Sequence, residues 1–479
     1  MSLVSKSLLA SAAILFTSSM PVFSQQLAEE VIEKYFSDMR KGGASVEPGT
    51  KTVSGQSVEW ADIVITGPNG ESRLVMPFVR ATEIGGGKVS MAYSEEQVMR
   101  LVPANGKGSP VDVVITMKDM KHIISGTAAA RQHDYQAPTL AYDVKTQDGN
   151  FAMHIALNNL KGSQVNTGEF VRNYAGNVAV ANAVFDYTFT DGNGSMTAKG
   201  SYADLAVNFD VDGASKEQME EYLQGKRGFA VNYSMGAVTS VTDINQESLK
   251  GVLTTTGDSA QGVISLKDGL FKMKGGGKNA TYEMKFTEMP LPPFNAEIDS
   301  VEFGFDMPLK KADQPMPARL LMNMTGVKAS DTLWGMIDPA GSLPRDKATL
   351  NIDLSANMKW LVDAVKANET SDVPVEVQDV TINDITLDVA GARLNGKGSA
   401  VLDNTKMPPE PVGMVDLELV GGLGLLDKLV ALGLVPQDQG QMVKMFSGMF
   451  AVPVGEDHLT SKIEMKAGGS IFVNGNQVK

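Results

Sequence analysis

The sequence lacks cysteine entirely, since none occurs among its 479 residues. Disulfides, thiolate catalysis, iron–sulfur ligation and acylation of an N-terminal cysteine are therefore excluded. If the chain leaves the cytoplasm, packing and hydrogen bonds alone must stabilise it there.

Basic residues are also fewer than acidic residues. The chain has 42 Lys and Arg against 56 Asp and Glu, which gives a formal net charge of -14. Binding to nucleic acid phosphates requires concentrated positive charge, so we expect no nucleic acid partner. Electrostatic attachment to an anionic membrane surface is disfavoured for the same reason.

Long hydrophobic runs are scarce as well. Residues 1–24 combine one base, Lys6, with a short apolar stretch at 8–16 and small or aliphatic residues before Gln25. This pattern predicts a secretory signal peptide cleaved before Gln25, and hence a periplasmic protein. The apolar stretch is shorter than the ~20 residues that span a bilayer, but an inner-membrane anchor formed by an uncleaved N-terminus stays the alternative.

Signatures of catalysis are missing from the chain. It contains no GxSxG elbow, no HExxH and no phosphate-binding GxxxxGK[ST]. We therefore assign no catalytic, cofactor-binding or metal-binding residue, and expect a protein that is not an enzyme. We expect each of the four histidines to be exposed or held in ordinary hydrogen bonds: His122, His133, His154 and His458.

Two segments match ligand-binding motifs only in part. In NFDVDGASKEQM, which begins at Asn208, the twelfth position of a calcium loop is Met219 instead of a bidentate Glu. In VDLELVGGLGLLDKL, Asp427 replaces the third glycine of a dinucleotide fingerprint, and no βαβ alternation surrounds it. We interpret the first segment as a strand end and the second as a sharp glycine turn into a helix.

Period-two alternation of apolar and polar residues is abundant. In 184–190, Phe185, Tyr187 and Phe189 face one way and polar residues the other. Similar alternation occurs in 111–117, 205–211, 350–354 and 385–389. Glycine-rich hairpin signals stand between such runs: DGNGS at Asp191, KDG at Lys267, KGGGKN at Lys274, LNGKG at Leu394 and VNGN at Val473.

These patterns predict a mainly β fold of the β-rich α+β type. We expect a large curled antiparallel sheet of many strands joined by Gly-rich hairpins, with a few short helices packing on one face or plugging the ends. Helical signals are the stripes Leu27/Val31/Ile32/Tyr35/Phe36, Met358/Leu361/Val362/Val365 and Leu425/Leu426/Leu429/Val430, and the capping box Ser215/Gln218.

A domain boundary is predicted at MPLPPF, residues 289–294, because its three prolines cannot donate to a central ladder. The expected organisation is a signal peptide at 1–24, an N-terminal antiparallel β-rich region at 25–290 and a C-terminal β-rich region with helices at 291–479. One continuous domain is the alternative.

The segment 330–354 contains one of three tryptophans. Ser330 is predicted to cap a short helix in which Trp334 is buried, Pro339 to end it, and Pro344 to turn the chain into a strand. No nucleophile stands beside a base, so we interpret the segment as a corner of the fold and not as an active site.

Several segments resemble one known family. They are DTLWGMIDPAGSLPRDKATLNIDLSA, DVTINDITLDVAGARLNGKGSAVLDN, VGMVDLELVGGLGLLDKLVALGLVPQDQ and SIFVNGNQVK. They are similar to hallmarks of the uncharacterised bacterial family called domain of unknown function 2125 (DUF2125), over essentially the whole mature chain. The C-terminal part also resembles, more remotely, AsmA and YdgA-like envelope proteins. That resemblance implies long curled antiparallel sheets and a link to lipid or outer-membrane homeostasis, and it supplies no catalytic residue.

Two functions remain open at this point. The first is a periplasmic envelope protein that binds or carries a lipid or other apolar ligand in a groove of the sheet; the 27 methionines suit such a surface, but they also fill ordinary cores. The alternative is a structural or interaction module that docks an envelope partner protein. A hydrolase is the weakest candidate, and the sequence leaves the oligomeric state open.

Overall fold

A computed structural model describes residues 27–103, 108–127, 129–167, 173–213, 221–222, 224–288, 292–364 and 374–479. Within these ranges the chain is mainly β and antiparallel, which confirms the predicted fold class. The described helices are α1 (Leu27–Lys41), α2 (Asp331–Ile337), α3 (Gly422–Ala431) and α4 (Gln437–Phe450), with a 3-10 turn at Pro68–Gly70.

The chain divides into two compact units. The N-terminal unit comprises Met1–Met219 and Phe229–Lys250, and the C-terminal unit comprises Glu220–Gly228 and Gly251–Lys479. The boundary predicted after residue 290 and the signal peptide at 1–24 lie outside the described residues, so both stay predictions. None of the described helices is long and apolar enough to cross a membrane.

Fourteen strands are described in the N-terminal unit. The long strands β9 to β12 pair consecutively and antiparallel. The strands are β1 Ser45–Glu47, β2 Thr50–Ser54, β3 Ser57–Thr66, β4 Ser72–Glu83, β5 Val89–Tyr93, β6 Glu96–Leu101, β7 Val111–Lys118, β8 Lys121–Thr127, β9 Ala130–Thr146, β10 Phe151–Thr167, β11 Asn173–Asp191, β12 Gly194–Asp212, β13 Phe229–Met235 and β14 Val238–Gln246.

The N-terminal unit has a closed hydrophobic core beneath α1. The predicted stripe of that helix is confirmed, because its apolar side chains turn inward onto β3 and β4. Phe36 is fully buried and meets Trp60 edge to face, with 5.9 Å between the ring centroids. One helix therefore covers the apolar side of these strands.

The remaining strands belong to the C-terminal unit, apart from the first two residues of β15. From β16 to β23 each strand pairs antiparallel with the next. The strands are β15 Leu249–Gly257, β16 Ser259–Lys267, β17 Leu270–Phe286, β18 Phe294–Pro308, β19 Met316–Ala329, β20 Ala348–Trp360, β21 Val375–Val389, β22 Ala392–Asp403, β23 Glu410–Val420, β24 Val452–Gly455, β25 His458–Lys466, β26 Ser470–Val473 and β27 Asn476–Gln477.

Three of the five predicted hairpins are confirmed. DGNGS joins β11 to β12, KDG joins β16 to β17, and VNGN joins β26 to β27. In the second hairpin, Asp268 and Gly269 both adopt positive φ, at 54° and 72°. An Asp-Gly pair tolerates that conformation in a two-residue turn, which is why the signal was informative.

The other two hairpin predictions are wrong. KGGGKN lies inside β17 and LNGKG inside β22. The glycines of β17 make room for a neighbouring ring, because a Cβ at Gly275 would stand 2.5 Å from Cζ of Phe303. The turn before β22 is instead made by Ala390 and Gly391, which both have positive φ.

The helix predictions had mixed outcomes. The stripe Leu425/Leu426/Leu429/Val430 lies in α3 as predicted. The stripe that begins at Met358 is wrong at that residue, because strand alternation continues through β20 and Met358 pairs with Val377. The capping box at 215–218 lies outside the described residues, and α4 was not predicted.

The segment 330–354 forms a short helix followed by a strand, as predicted, but the residue predicted to be buried in it is not the one that the structure buries most deeply. Ser330 caps α2 by accepting a hydrogen bond from the Leu333 amide at 3.4 Å. Trp334, predicted to be buried, is only half-buried beneath the Arg345 guanidinium. The buried residues are Leu343 and Asp338, and the Asp338 carboxylate accepts hydrogen bonds from the Leu343 amide at 2.7 Å and from nearby Ser342. These bonds, that from Leu343 first, lower the pKa of Asp338.

Candidate functional site

The C-terminal unit presents a wide apolar sheet face made of three cross-strand rows. Residues directly opposite each other in antiparallel strands point to the same face, so the pairing register defines each row. We call this surface the C-terminal apolar face. Its rows are Ile264, Met273, Phe305, Leu320, Leu354, Ile382, Gly398, Val415, Ile463 and Val473; Gly275, Phe303, Met322, Ile352, Ile385, Gly396 and Leu417; and Val301, Met324, Leu350, Leu387, Leu394, Leu419 and Leu459.

This face is only partly covered. Large apolar side chains stay open to solvent, with Phe303 39% exposed, Leu320 45%, Met322 40% and Leu387 40%. The comparable side chains beneath α1 in the N-terminal unit are almost all buried. Among the residues of the three rows, full burial of a large side chain is reached at Leu459 and Val473. A face of this size left open is a feature of binding surfaces.

Glycines shape the face where bulky side chains cross it. The Phe303 ring lies over Gly275, and a Cδ of Leu417 would stand 3.0 Å from a Cβ at Gly396. A larger residue at either glycine would collide with its neighbour. Glycines in the runs that suggested hairpins therefore make room for apolar side chains of neighbouring strands.

The opposite face of the same strands is polar and carries a ladder of side-chain hydrogen bonds. Asn323 donates to Asn351 Oδ1 at 3.2 Å. Farther along, Asn395 donates to Glu418 Oε2 at 3.3 Å, and His458 Nε2 bonds to Glu418 Oε1 at 2.8 Å. The hydrogen bonds from His458 and then Asn395 lower the pKa of Glu418.

A concavity of about 590 Å³ lies on this polar face. It is lined by charged side chains and amides, among them Asp384, Asn395, Lys397, Asp416 and Lys462. The apolar groove expected for a lipid is therefore not this concavity.

A second cluster of interest lies in the N-terminal unit, where two histidines meet. The register of β8 with β9 brings His122 Nε2 within 3.1 Å of His133 Nδ1. His122 Nδ1 contacts the Tyr93 hydroxyl at 2.7 Å, and Asn166 Nδ2 lies 3.2 Å from His133 Nε2. Every ring nitrogen of these two histidines has a hydrogen-bond partner, which agrees with the sequence-based expectation of ordinary hydrogen bonds. The contact between the two histidines was not predicted.

The Asn166 amide group fixes which atoms donate and which accept along this series of hydrogen bonds. Asn166 donates to His133, which then donates to His122, which donates to Tyr93. A proton added to His122 Nε2 would face the His133 N–H. Burial, and next the neighbouring His133, lower the pKa of His122 to about 3. The His122 imidazole is therefore neutral at pH 7, and each ring nitrogen of the two histidines already has a hydrogen-bond partner.

Arg131 lies in the same region and is 1% exposed. Its Nε and Nη2 atoms have no hydrogen-bond partner among the described residues. Burial lowers the pKa of Arg131, and the nearby Glu30 charge opposes this; burial also raises the pKa of Glu30. The described residues contain no group of three or more His, Asp and Glu side chains that could hold a metal ion.

The other residues weighed in the sequence have ordinary surroundings. His154 bonds to Asp143 at 2.9 Å at the surface. Asp427 of the partial dinucleotide motif pairs with Lys444. Gly421 has φ 73°, which confirms the sharp turn into α3, and Asp457 caps that helix through the Gly424 amide at 2.8 Å. The twelfth position of the partial calcium loop lies outside the described residues.

Comparisons with known proteins leave the family open. No family model matches the chain, and no curated protein matches it. Among solved structures, the alcaligin outer membrane receptor FauA from Bordetella pertussis is 8% identical, with 90% of this chain and 69% of that chain covered and a TM-score of 0.14. A likeness at that score carries no argument about fold or function. The resemblance to the DUF2125 and AsmA-like proteins therefore stays a prediction.

Proposed function

We propose that the C-terminal apolar face binds an apolar ligand of the lipid acyl-chain class, in a non-enzymatic protein of the periplasm. The observation that carries this proposal is the partial exposure of three uninterrupted apolar rows in one unit. The periplasmic location rests on the sequence of residues 1–24 alone.

The composition and size of the face favour an acyl chain. Its rows contain Leu, Ile, Val, Met, Phe and Gly and no charged side chain. At ~4.8 Å between neighbouring strands, the longest row extends over roughly 40 Å. A flexible chain of methylene groups gains about 0.8 kcal/mol for each group that it buries on such a surface. Met322 and Met324 can repack around chains of different shape.

The experiment uses a pair of methionines on opposite faces of the sheet. Met322 lies on the C-terminal apolar face and is 40% exposed, while Met414 lies on the polar face and is 39% exposed. A fluorescent fatty acid is titrated into the wild type, Met322→Asp and Met414→Asp. We expect Met322→Asp to weaken binding at least about tenfold, because it places a carboxylate against the chain.

The control variant should bind as the wild type does. Circular dichroism checks that both variants keep their strand content. Absence of binding by the wild type, or equal losses in the two variants, contradicts the proposal. Native mass spectrometry of protein released gently from the periplasm provides a second measurement, because a carrier should retain lipid.

A further inference from the structure

Helix α4 presents its polar side to the protein and its apolar side to solvent. Gly440 is its one buried residue, and a Cβ there would stand 2.6 Å from Cγ2 of Val430 in α3. Lys444 Nζ pairs with Asp427 of α3 at 2.5 Å. Ser447 is half-buried. These three α4 residues are spaced by four and three positions, so they form the side that faces α3.

From Met442 onward, the opposite side of α4 is apolar and open. Phe446 and Phe450 stack with 6.1 Å between their centroids and 19° between their planes. We call the following set the α4 apolar stripe. It consists of Met442 (52% exposed), Val443 (50%), Met445 (59%), Phe446 (44%), Met449 (63%) and Phe450 (36%).

This orientation is the reverse of the usual one. A surface helix normally turns its apolar stripe to the core and its charges to water. Here the side that contacts α3 carries a glycine, a serine and a lysine, and the six large apolar side chains of the stripe stay 36% to 63% exposed. The stripe exposes roughly 600 Å² of apolar surface, which is as large as the largest patch on a typical monomer.

We propose that the α4 apolar stripe docks against the same stripe of a second copy of this chain. Two stripes together would bury roughly 1,200 Å², the lower end of the range for specific protein interfaces. Met and Phe are also the side chains enriched at the centres of such interfaces. A contact of this size predicts a weak dimer, with a Kd on the order of micromolar.

Charge favours a second copy over a lipid surface. Each copy carries a net charge of -14, which disfavours contacts between acidic surfaces of two copies, and the stripe has no charged member. Helices that lie on membranes carry Lys and Arg along their polar side. The one lysine of α4, Lys444, is already paired with Asp427 of the same chain. An isologous contact through the stripe brings no acidic side chain of the stripe against another and needs no free lysine on α4.

The association is tested by sedimentation velocity over about 1 to 100 µM protein, a range that brackets the expected Kd. The wild type should shift from monomer to dimer. Met445→Gln/Met449→Gln should stay monomeric. The matched control is Met336→Gln/Met407→Gln, which replaces two methionines that are 49% and 81% exposed elsewhere. This control should dimerise as the wild type does.

The absence of cysteine supplies a second measurement. Met445→Cys introduces the one thiol of the chain, so any disulfide that forms joins two copies. Mild oxidation should yield covalent dimers for Met445→Cys and not for Met407→Cys. A wild type that is monomeric at every concentration overturns the proposal, as does a dimer that survives Met445→Gln/Met449→Gln. Stripe-dependent binding to phosphatidylcholine vesicles by a monomeric wild type would assign the stripe to a lipid surface instead.

Discussion

At the scale of single residues, one polar cluster of the N-terminal unit is held together by its own hydrogen bonds. His122 and His133 share a hydrogen bond and use their remaining ring nitrogens on Tyr93 and Asn166. Breaking these hydrogen bonds should lower the free energy of unfolding, because each buried polar group left without a partner reduces stability by about 1 to 3 kcal/mol. The cluster thus explains two of the four histidines as structural.

The lowered pKa of His122 makes the fold sensitive to mild acid. Above pH 6.5 the imidazole is neutral in both the folded and unfolded states. Below that value the unfolded state binds a proton that the folded state does not bind until about pH 3. The free energy of unfolding therefore decreases as the pH is lowered from 6.5 towards 3. Between pH 6.5 and 5, we expect the wild type to lose about 1.5 kcal/mol more than His122→Phe.

Urea denaturation at several pH values measures this difference. Met407→Phe, at a position that is 81% exposed and carries no titratable group, is the control for the substitution and should keep the pH dependence of the wild type. Equal slopes in the wild type and His122→Phe would contradict the role assigned to His122.

At the scale of elements, one helix closes the N-terminal core and another leaves its apolar side open. α1 and α4 are of similar length, at 15 and 14 residues. Their difference lies in which side contacts the rest of the chain. In α1 the apolar stripe faces the sheet, whereas in α4 the side with Gly440 and Lys444 faces α3.

Removal of the Phe36 ring tests how far α1 stabilises the fold. Phe36 is fully buried, so Phe36→Ala should lower the free energy of unfolding by about 3 to 5 kcal/mol through lost burial and a cavity. The control is Phe189→Ala on β11, where the ring is 39% exposed and the expected loss is below about 1 kcal/mol. Chemical denaturation followed by circular dichroism measures both, and similar losses would contradict this account of α1.

At the scale of the whole molecule, the two units are built alike from antiparallel strands but differ in burial. The N-terminal unit holds a contiguous buried cluster, while the rows of the C-terminal apolar face stay half-exposed. Amide exchange should reflect this contrast, since protection follows the burial that surrounds each strand. We expect the amides of β3 and β4 to exchange at least about tenfold more slowly than those of β20 and β21.

Hydrogen exchange read by mass spectrometry checks this expectation. Bound fatty acid should slow exchange in β20 and β21 and leave β3 and β4 unchanged. Equal rates in the two pairs of strands without ligand would mean that the half-exposed face is no less stable than the closed core.

The sequence by itself determined the strands, much of the turn chemistry and the exclusion of thiol chemistry. Alternation with period two and Asp-Gly or Asn-Gly pairs are local signals, so they located β11, β12 and the KDG turn correctly. Local signals do not distinguish a glycine that turns the chain from one that accommodates a ring, which is why KGGGKN was misassigned.

Only the tertiary structure decided what covers each apolar surface. The convergence of His122 with His133, the burial of Asp338 and the open C-terminal apolar face all depend on residues distant in sequence. An apolar strand face has the same pattern whether a helix covers it or solvent reaches it. Coverage is set by which elements pack together, and in this protein that packing buries the apolar side chains of the N-terminal unit and leaves those of the C-terminal apolar face half-exposed.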